Sequence, residues 1–246
     1  MDPATLRLLA ASRRPDRRAV LRQRWDQLLF LHWRVEAAAV ARLLPPGLTV
    51  DSFKGETHLG IVGFQMNEVR PVGLPALPWL SYFNELNVRV YVRDAAGEPG
   101  VWFLSLDCDR GPAVHLARAC FGLPYRHAQL THRPFGERWT LDCLRAGHAH
   151  SARYAWKPLT PATPATPGTR LFHLAERYNF FTLQGGRLMR GQVHHAPYAL
   201  SLAQLTTWSE QPVEWDGFPL AGRAPDHAHC SPGVAVEAFG LVPAHA

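Results

Sequence analysis

Phe83-Asn84-Glu85-Leu86-Asn87-Val88-Arg89-Val90-Tyr91-Val92-Arg93 alternates almost without a break. In an extended strand Leu86, Val88, Val90 and Val92 share one face, and Glu85, Asn87, Arg89, Tyr91 and Arg93 share the other. Such a strand is usually half-buried, with its polar face in water. The other arrangement is a closed sheet with a wet interior, where an acid, an amide, guanidiniums and a phenol would line a ligand cavity. The pattern alone favours water.

On the C-terminal side, residues 100–108 alternate again, but both faces are largely apolar, so this strand belongs at the centre of a sheet. On the N-terminal side, residues 70–78 carry Pro71, Pro75 and Pro78, which deny the segment regular structure and stiffen it. Further back, residues 28–35 read as a buried strand. Residues 36–44 read as a helix stopped by Pro45-Pro46-Gly47, because proline cannot continue the hydrogen-bond ladder. A strand at 48–51, a Lys54-Gly55 turn and a strand at 58–66 complete this half.

Downstream, residues 113–121 suit a helix begun by Pro112 and ended by Gly122 and Pro124. Residues 125–132 and 138–144 pair as strands, and 159–168 form a proline-bearing surface loop. Thr169 caps a short helix through Glu176, and residues 178–183 and 188–195 form a hairpin over Gly185-Gly186. A last strand covers 234–242, after a loop bearing His227 and His229. About ten short strands with few helices indicate an α+β domain, mainly antiparallel β, with the sheet closed on itself so that edges disappear.

Composition narrows the function. No low-complexity linker divides the 246 residues, so residues 25–246 read as one domain behind an Arg-rich helical extension, 1–24, broken at Pro15. The formal charge of +6 suggests a polyanion partner, but of 26 basic residues only Lys54 and Lys157 are lysine, a skew typical of high-GC coding. Outside the first 24 residues the arginines are scattered, and no nucleic-acid-binding module is recognisable, so no nucleic-acid partner is expected. Cys108, Cys120, Cys143 and Cys230 form no Cys-x-x-Cys pair and read as buried thiols of a cytoplasmic protein. No apolar run reaches the roughly twenty residues of a membrane span, and a homo-oligomer is left open.

Several blocks then fall in a familiar order: Leu44-Pro45-Pro46-Gly47-Leu48, Glu85 to Val92, Phe103-Leu104-Ser105-Leu106-Asp107, Phe121-Gly122-Leu123-Pro124-Tyr125, Glu176-Arg177-Tyr178 and Gly191 to Pro197. Together they resemble the bacterial YqjF-like family from about Arg24 to Trp208. That family looks like a distant relative of acetoacetate decarboxylases, which implies their closed antiparallel barrel, with a few peripheral helices, around a central cavity. Acetoacetate decarboxylase uses a lysine made nucleophilic by a neighbouring cation to form a Schiff base. Here Tyr125 and Arg126 stand where the lysine pair would be. Glu85 matches the glutamate that borders the decarboxylase cavity. The cavity arginine falls near Asp26, and its companion glutamate near Gly60.

The resemblance turns the polar face of residues 85–93 inward. Glu85, Arg89 and Tyr125 become the candidate catalytic groups, with the Tyr125 phenol made more acidic by Arg126 and with Glu85 and Arg89 either paired or clamping a ligand. Asn87, Tyr91, Arg126 and His194 become candidate ligand-binding groups. The expected ligand is a small anionic or carbonyl-bearing molecule, handled without a Schiff base and without a cofactor, or held without turnover. A third reading is a metal-dependent enzyme built on His148-x-His150, His194-His195 or His227-x-His229-Cys230, none of which has the His-Glu-x-x-His spacing. Walker, dinucleotide and Gly-x-Ser-x-Gly fingerprints are absent.

Overall fold

The computed structural model describes residues 1–111 and 121–245. Thirteen strands form one sheet: β1 (Ala19–Val35), β2 (Thr49–Val50), β3 (Thr57–Pro71), β4 (Phe83–Arg93), β5 (Pro99–Cys108), β6 (Tyr125–Phe135), β7 (Arg138–Arg145), β8 (Ala152–Pro158), β9 (Thr163–Pro164), β10 (Asn179–Gln184), β11 (Arg187–His195), β12 (Ala199–Thr207) and β13 (His227–Pro243). Among the described residues the helices are short: α1 (Pro3–Ala11), α2 (Ala37–Ala41), α3 (Arg170–Ala175) and α4 (Gln211–Trp215). The pairing β4–β5 returns the sheet to itself, so that β4-β3-β1-β13-β11-β10-β5 run in a ring. Pairing is antiparallel except where β5 meets β10 and β6, both parallel.

From Glu85 to Val92 neither face of β4 meets water. Leu86, Val88, Val90 and Val92 are fully buried on the outside of the ring, beneath β6, β7 and β8, where Leu141, Tyr154 and Trp156 join the same core cluster. Glu85, Asn87, Arg89 and Tyr91 on the other face are also buried. The solvated face favoured by alternation alone is therefore an interior one. Alternation distinguishes two chemistries, not water from protein.

Several elements depart from the sequence expectation. The N-terminal helix ends at Ala11, capped at its start by Asp2, whose carboxylate accepts from Thr5 N at 3.0 Å. From Ala19 the Arg-rich segment is already β1, with Arg22 and Arg24 side chains largely in solvent. β8 and β12 lie in stretches where no strand is predicted. The His-bearing loop is the first part of β13, extended because His227 pairs with His32 and His229 with Phe30 across β1. The helix expected at 113–121 lies, but for its last residue, outside the described residues. Cys108, Cys143 and Cys230 are buried free thiols, and Cys120 is outside the described residues.

Two local features shape the ring wall. Gln27 takes a left-handed φ of 53° where β1 bulges against β3 between Asp26 and Leu29. Opposite Asp26 sits Gly233, φ 142°, where an added Cβ would lie 2.4 Å from Trp25 O. Only glycine fits there.

The outer layer is locked to the ring by one buried charge cluster. Arg145 on β7 donates to both carboxylate oxygens of Asp107 on β5, at 2.7 and 2.9 Å, and to Asp216 after α4 at 2.6 Å. Asp107 is completely buried. Removing the guanidinium leaves that carboxylate without its two charged donors, so Arg145→Met is expected to cost about 3 to 5 kcal/mol of unfolding free energy in urea titrations. Arg145→Met combined with Asp107→Leu should recover most of the loss.

Candidate functional site

The ring encloses a cavity of about 550 Å³. Along β4 its lining runs Phe83, Glu85, Asn87, Arg89, the alternate residues of one strand face. β6 begins at Tyr125, directly beside Leu106 of β5, which brings the phenol to the same wall.

Glu85 is 2 % exposed. Tyr125 donates its hydroxyl to Glu85 Oε2 at 2.7 Å, and Asn87 Nδ2 donates to Oε1 at 3.3 Å. Burial pushes the Glu85 carboxyl up to about 7; the hydrogen bonds from Tyr125 and Asn87 pull against it, and the nearby charge of Asp107 adds to the rise. The Tyr125 phenol also moves upward, well above its ordinary 10, first because it is buried and then because it faces Glu85. This reverses the expected acidification by Arg126. Tyr125 points inward on β6 and Arg126, next along the strand, points out into solvent. Tyr125 thus stays a hydrogen-bond donor over the whole physiological range.

Arg89 does not pair with Glu85. Its Nη2 donates to the Leu174 carbonyl at 3.2 Å, and its Nε is buried with no partner among the described residues. The guanidinium lies near the rings of Phe30 and Tyr91, at 5.8 and 5.7 Å. Among the described residues no carboxylate forms an ion pair with it, whereas its neighbour Arg177 is bound to Asp51 at 2.6 Å. Asn87 Oδ1 and Arg177 Nη2 are likewise buried without partners. Unsatisfied polar atoms at the wall of a cavity are what a polar ligand completes.

The remaining expected residues divide cleanly. Asn87 lines the cavity; Tyr91, Arg126 and His194 do not. Tyr91 lies beneath the floor, where its hydroxyl donates to Leu174 O at 3.0 Å and meets His32 Nε2 at 2.7 Å. His194 faces outward from β11 and its Nδ1 lies 3.1 Å from Ser12 O. The sequence reading missed Arg177, Tyr178, Asn179 and Tyr198, all on the cavity wall. The block Glu176-Arg177-Tyr178 was visible, but nothing in its spacing told that Glu176 would fasten the floor, accepting from Tyr178 OH at 2.5 Å and from Tyr198 N at 2.9 Å.

Beneath that floor lies a layer of histidines. His32, His58 and His173 are buried, His227 and His229 partly so, and rings of His58 and His227 are 5.7 Å apart. Desolvation lowers all five, His58 and His229 to about 4 and His173 to about 2. The other histidine clusters are scattered: His148 packs on Trp215, and His195 stacks on Tyr178. Among the described residues no three His, Cys, Asp or Glu side chains converge as metal ligands. No helix there is long and apolar enough to cross a membrane.

Residues 22–235 match the family described as "Uncharacterized conserved protein", DUF2071. The chain belongs to this family. The protein YqjF of Bacillus subtilis is 32% identical over 191 residues, covering 77% of this chain and 78% of YqjF. Solved structures share the fold at low identity, two of them as follows. Acetoacetate decarboxylase from Legionella pneumophila superposes with a TM-score of 0.64 at 12% identity, over 96% of this chain and 94% of its own. The enduracididine biosynthesis enzyme MppR, complexed with pyruvate, gives 0.64 at 13% identity, over 93% and 91%.

The two lysines of this family member lie away from the cavity. Lys54 is exposed in a turn, 5.4 Å over the Phe53 ring, and Lys157 on β8 lies 4.0 Å from Glu137. A Schiff base on a lysine of this cavity has no amine to form it.

The Glu85 carboxyl makes a testable mark on stability. The unfolded group titrates near about 4.3, the folded one at about 7, so the folded state holds this proton more tightly. The penalty for burying the group is absent below the lower value and grows as pH rises through the window between them. Glu85→Gln is expected to stabilise the fold by about 3 kcal/mol at pH 8 and to leave it unchanged at pH 4, measured by urea unfolding at each pH.

Proposed function

We propose that the cavity binds a small organic molecule bearing a carboxylate and a carbonyl, and that Glu85 acts on it as a general base without any covalent intermediate. The observation that carries this reading is the buried Glu85–Tyr125 hydrogen bond on a cavity wall shared with Arg89, a guanidinium that pairs with no carboxylate among the described residues. Arg89 offers charge-assisted donors to a carboxylate. Glu85, with its pKa near neutrality, removes a proton from the carbon beside the carbonyl and holds it on its carboxylate. Negative charge then gathers on the carbonyl oxygen; once Glu85 holds the substrate's proton it no longer needs the Tyr125 hydrogen bond, and the phenol, kept protonated by its own high pKa, turns from Glu85 Oε2 to donate to that oxygen. Asn87, hydrogen-bonded to Glu85 Oε1, orients the base.

Pyruvate is the first probe, because a protein of the same fold is known in complex with it. Incubated with pyruvate in deuterium oxide, the protein is expected to exchange the methyl protons, followed by NMR. Glu85→Gln should slow exchange at least about a hundredfold. Borohydride should trap no adduct, and alanine at Lys54 and Lys157 should leave the rate unchanged. Pyruvate binding without exchange would favour the rival reading, a ligand-holding protein with no turnover.

A further inference from the structure

The cavity is much larger than its polar groups require, and its polarity is sorted by depth. The wall residues of β4 run Arg89, Asn87, Glu85, Phe83 from floor to rim, and about 13 Å of strand separates the first from the third. Across the ladder from the upper pair stand Phe64 and Met66 of β3, followed outward by Trp25, Leu77 and Leu80. The outer half is therefore a tube of hydrocarbon and aromatic groups. Its polar side chains already have partners. Gln23 accepts from Trp25 Nε1 at 2.9 Å, Arg70 is held by Glu68 at 2.9 Å, and Ser81 Oγ accepts from Leu77 N at 2.8 Å.

The tube continues onto the rim without becoming polar. In the stiff segment following β3, Leu74 is 59 % exposed and Leu77 44 %, and both also line the cavity. A three- or four-carbon oxo acid seated at Arg89 and Glu85 leaves this apolar region filled with water, an arrangement that wastes the strongest non-directional force available for binding. About 550 Å³ is a volume in the range that encloses ligands of much larger size.

We infer that the occupant carries an apolar tail of about eight to twelve carbons behind its oxo-acid head, with the head at the floor on Arg89 and the tail running past Phe83 and Trp25 to Leu74 and Leu77. The inference rests on the head-group reading above and adds the chemical class of the remainder of the molecule.

Calorimetric titration of the whole chain with straight-chain 2-oxo acids, from pyruvate to 2-oxodecanoate and below micellar concentration, tests both parts separately. Affinity is expected to rise about fourfold for each added methylene, the increment for burying one such group, until the chain reaches the rim. An affinity flat across the series, with pyruvate still bound, overturns the tail and leaves the head-group reading standing. Alkanols of matching length binding as tightly as the oxo acids overturn the head at Arg89, and failure of every compound overturns both. Leu77→Asp, a change at a half-exposed position, is expected to weaken 2-oxodecanoate at least about tenfold by placing a charge on the tail's path. Unaltered affinity for 2-oxodecanoate in that variant places the tail elsewhere and overturns the assignment.

Discussion

Everything in the structure depends on β4 being buried on both faces for opposite reasons. Its valines and Leu86 satisfy the hydrophobic effect on the outside of the ring, where the layer of β6, β7 and β8 removes them from water. That burial fixes the register of the strand, because a slip of one residue would exchange every apolar side chain for a polar one. The register in turn sends Glu85, Asn87 and Arg89 into the cavity. The desolvation that raises Glu85 is thus a by-product of how the outer core is packed, and the Arg145–Asp107 lock that holds the outer layer acts on the site from a distance.

The alternation at 85–93 made the strand, and the membership of its two faces, legible in the sequence. Which face meets water was not legible, since a period of two carries no information about what lies beyond the side chains. The Gly185-Gly186 hairpin and the Thr169 cap were read correctly because each is a local signal, a turn and a hydroxyl accepting from Phe172 N. β12 escaped because it pairs with β8 and β13, both distant in the chain, and β8 escaped although it forms a hairpin with β7, because no glycine-led two-residue turn joins them. Their short sequences carry little local signature.

The site was legible only in part for a similar reason. Glu85, Asn87 and Arg89 share a strand face, and Tyr125 follows from the family likeness. Arg126 and His194 are each one residue out of phase with a wall-lining neighbour, Tyr125 and Val193, so strand alternation turns them away. Tyr91 is in phase but one step too deep, where it meets α3 instead of the cavity. The floor residues Arg177, Tyr178 and Asn179 arrive after a helix, on a segment whose direction no periodicity predicts.

The histidine layer beneath the floor gives the two ends of the ring opposite answers to acid. Each of those imidazoles is harder to protonate in the folded chain than in the unfolded one, so the end beneath the floor loosens as pH drops below about 6.5. The mouth end, through Glu85, tightens over much of the same interval. One carboxyl offsets only part of what five imidazoles lose, so in mildly acidic solution the histidine layer gives way while the wall around Glu85 holds.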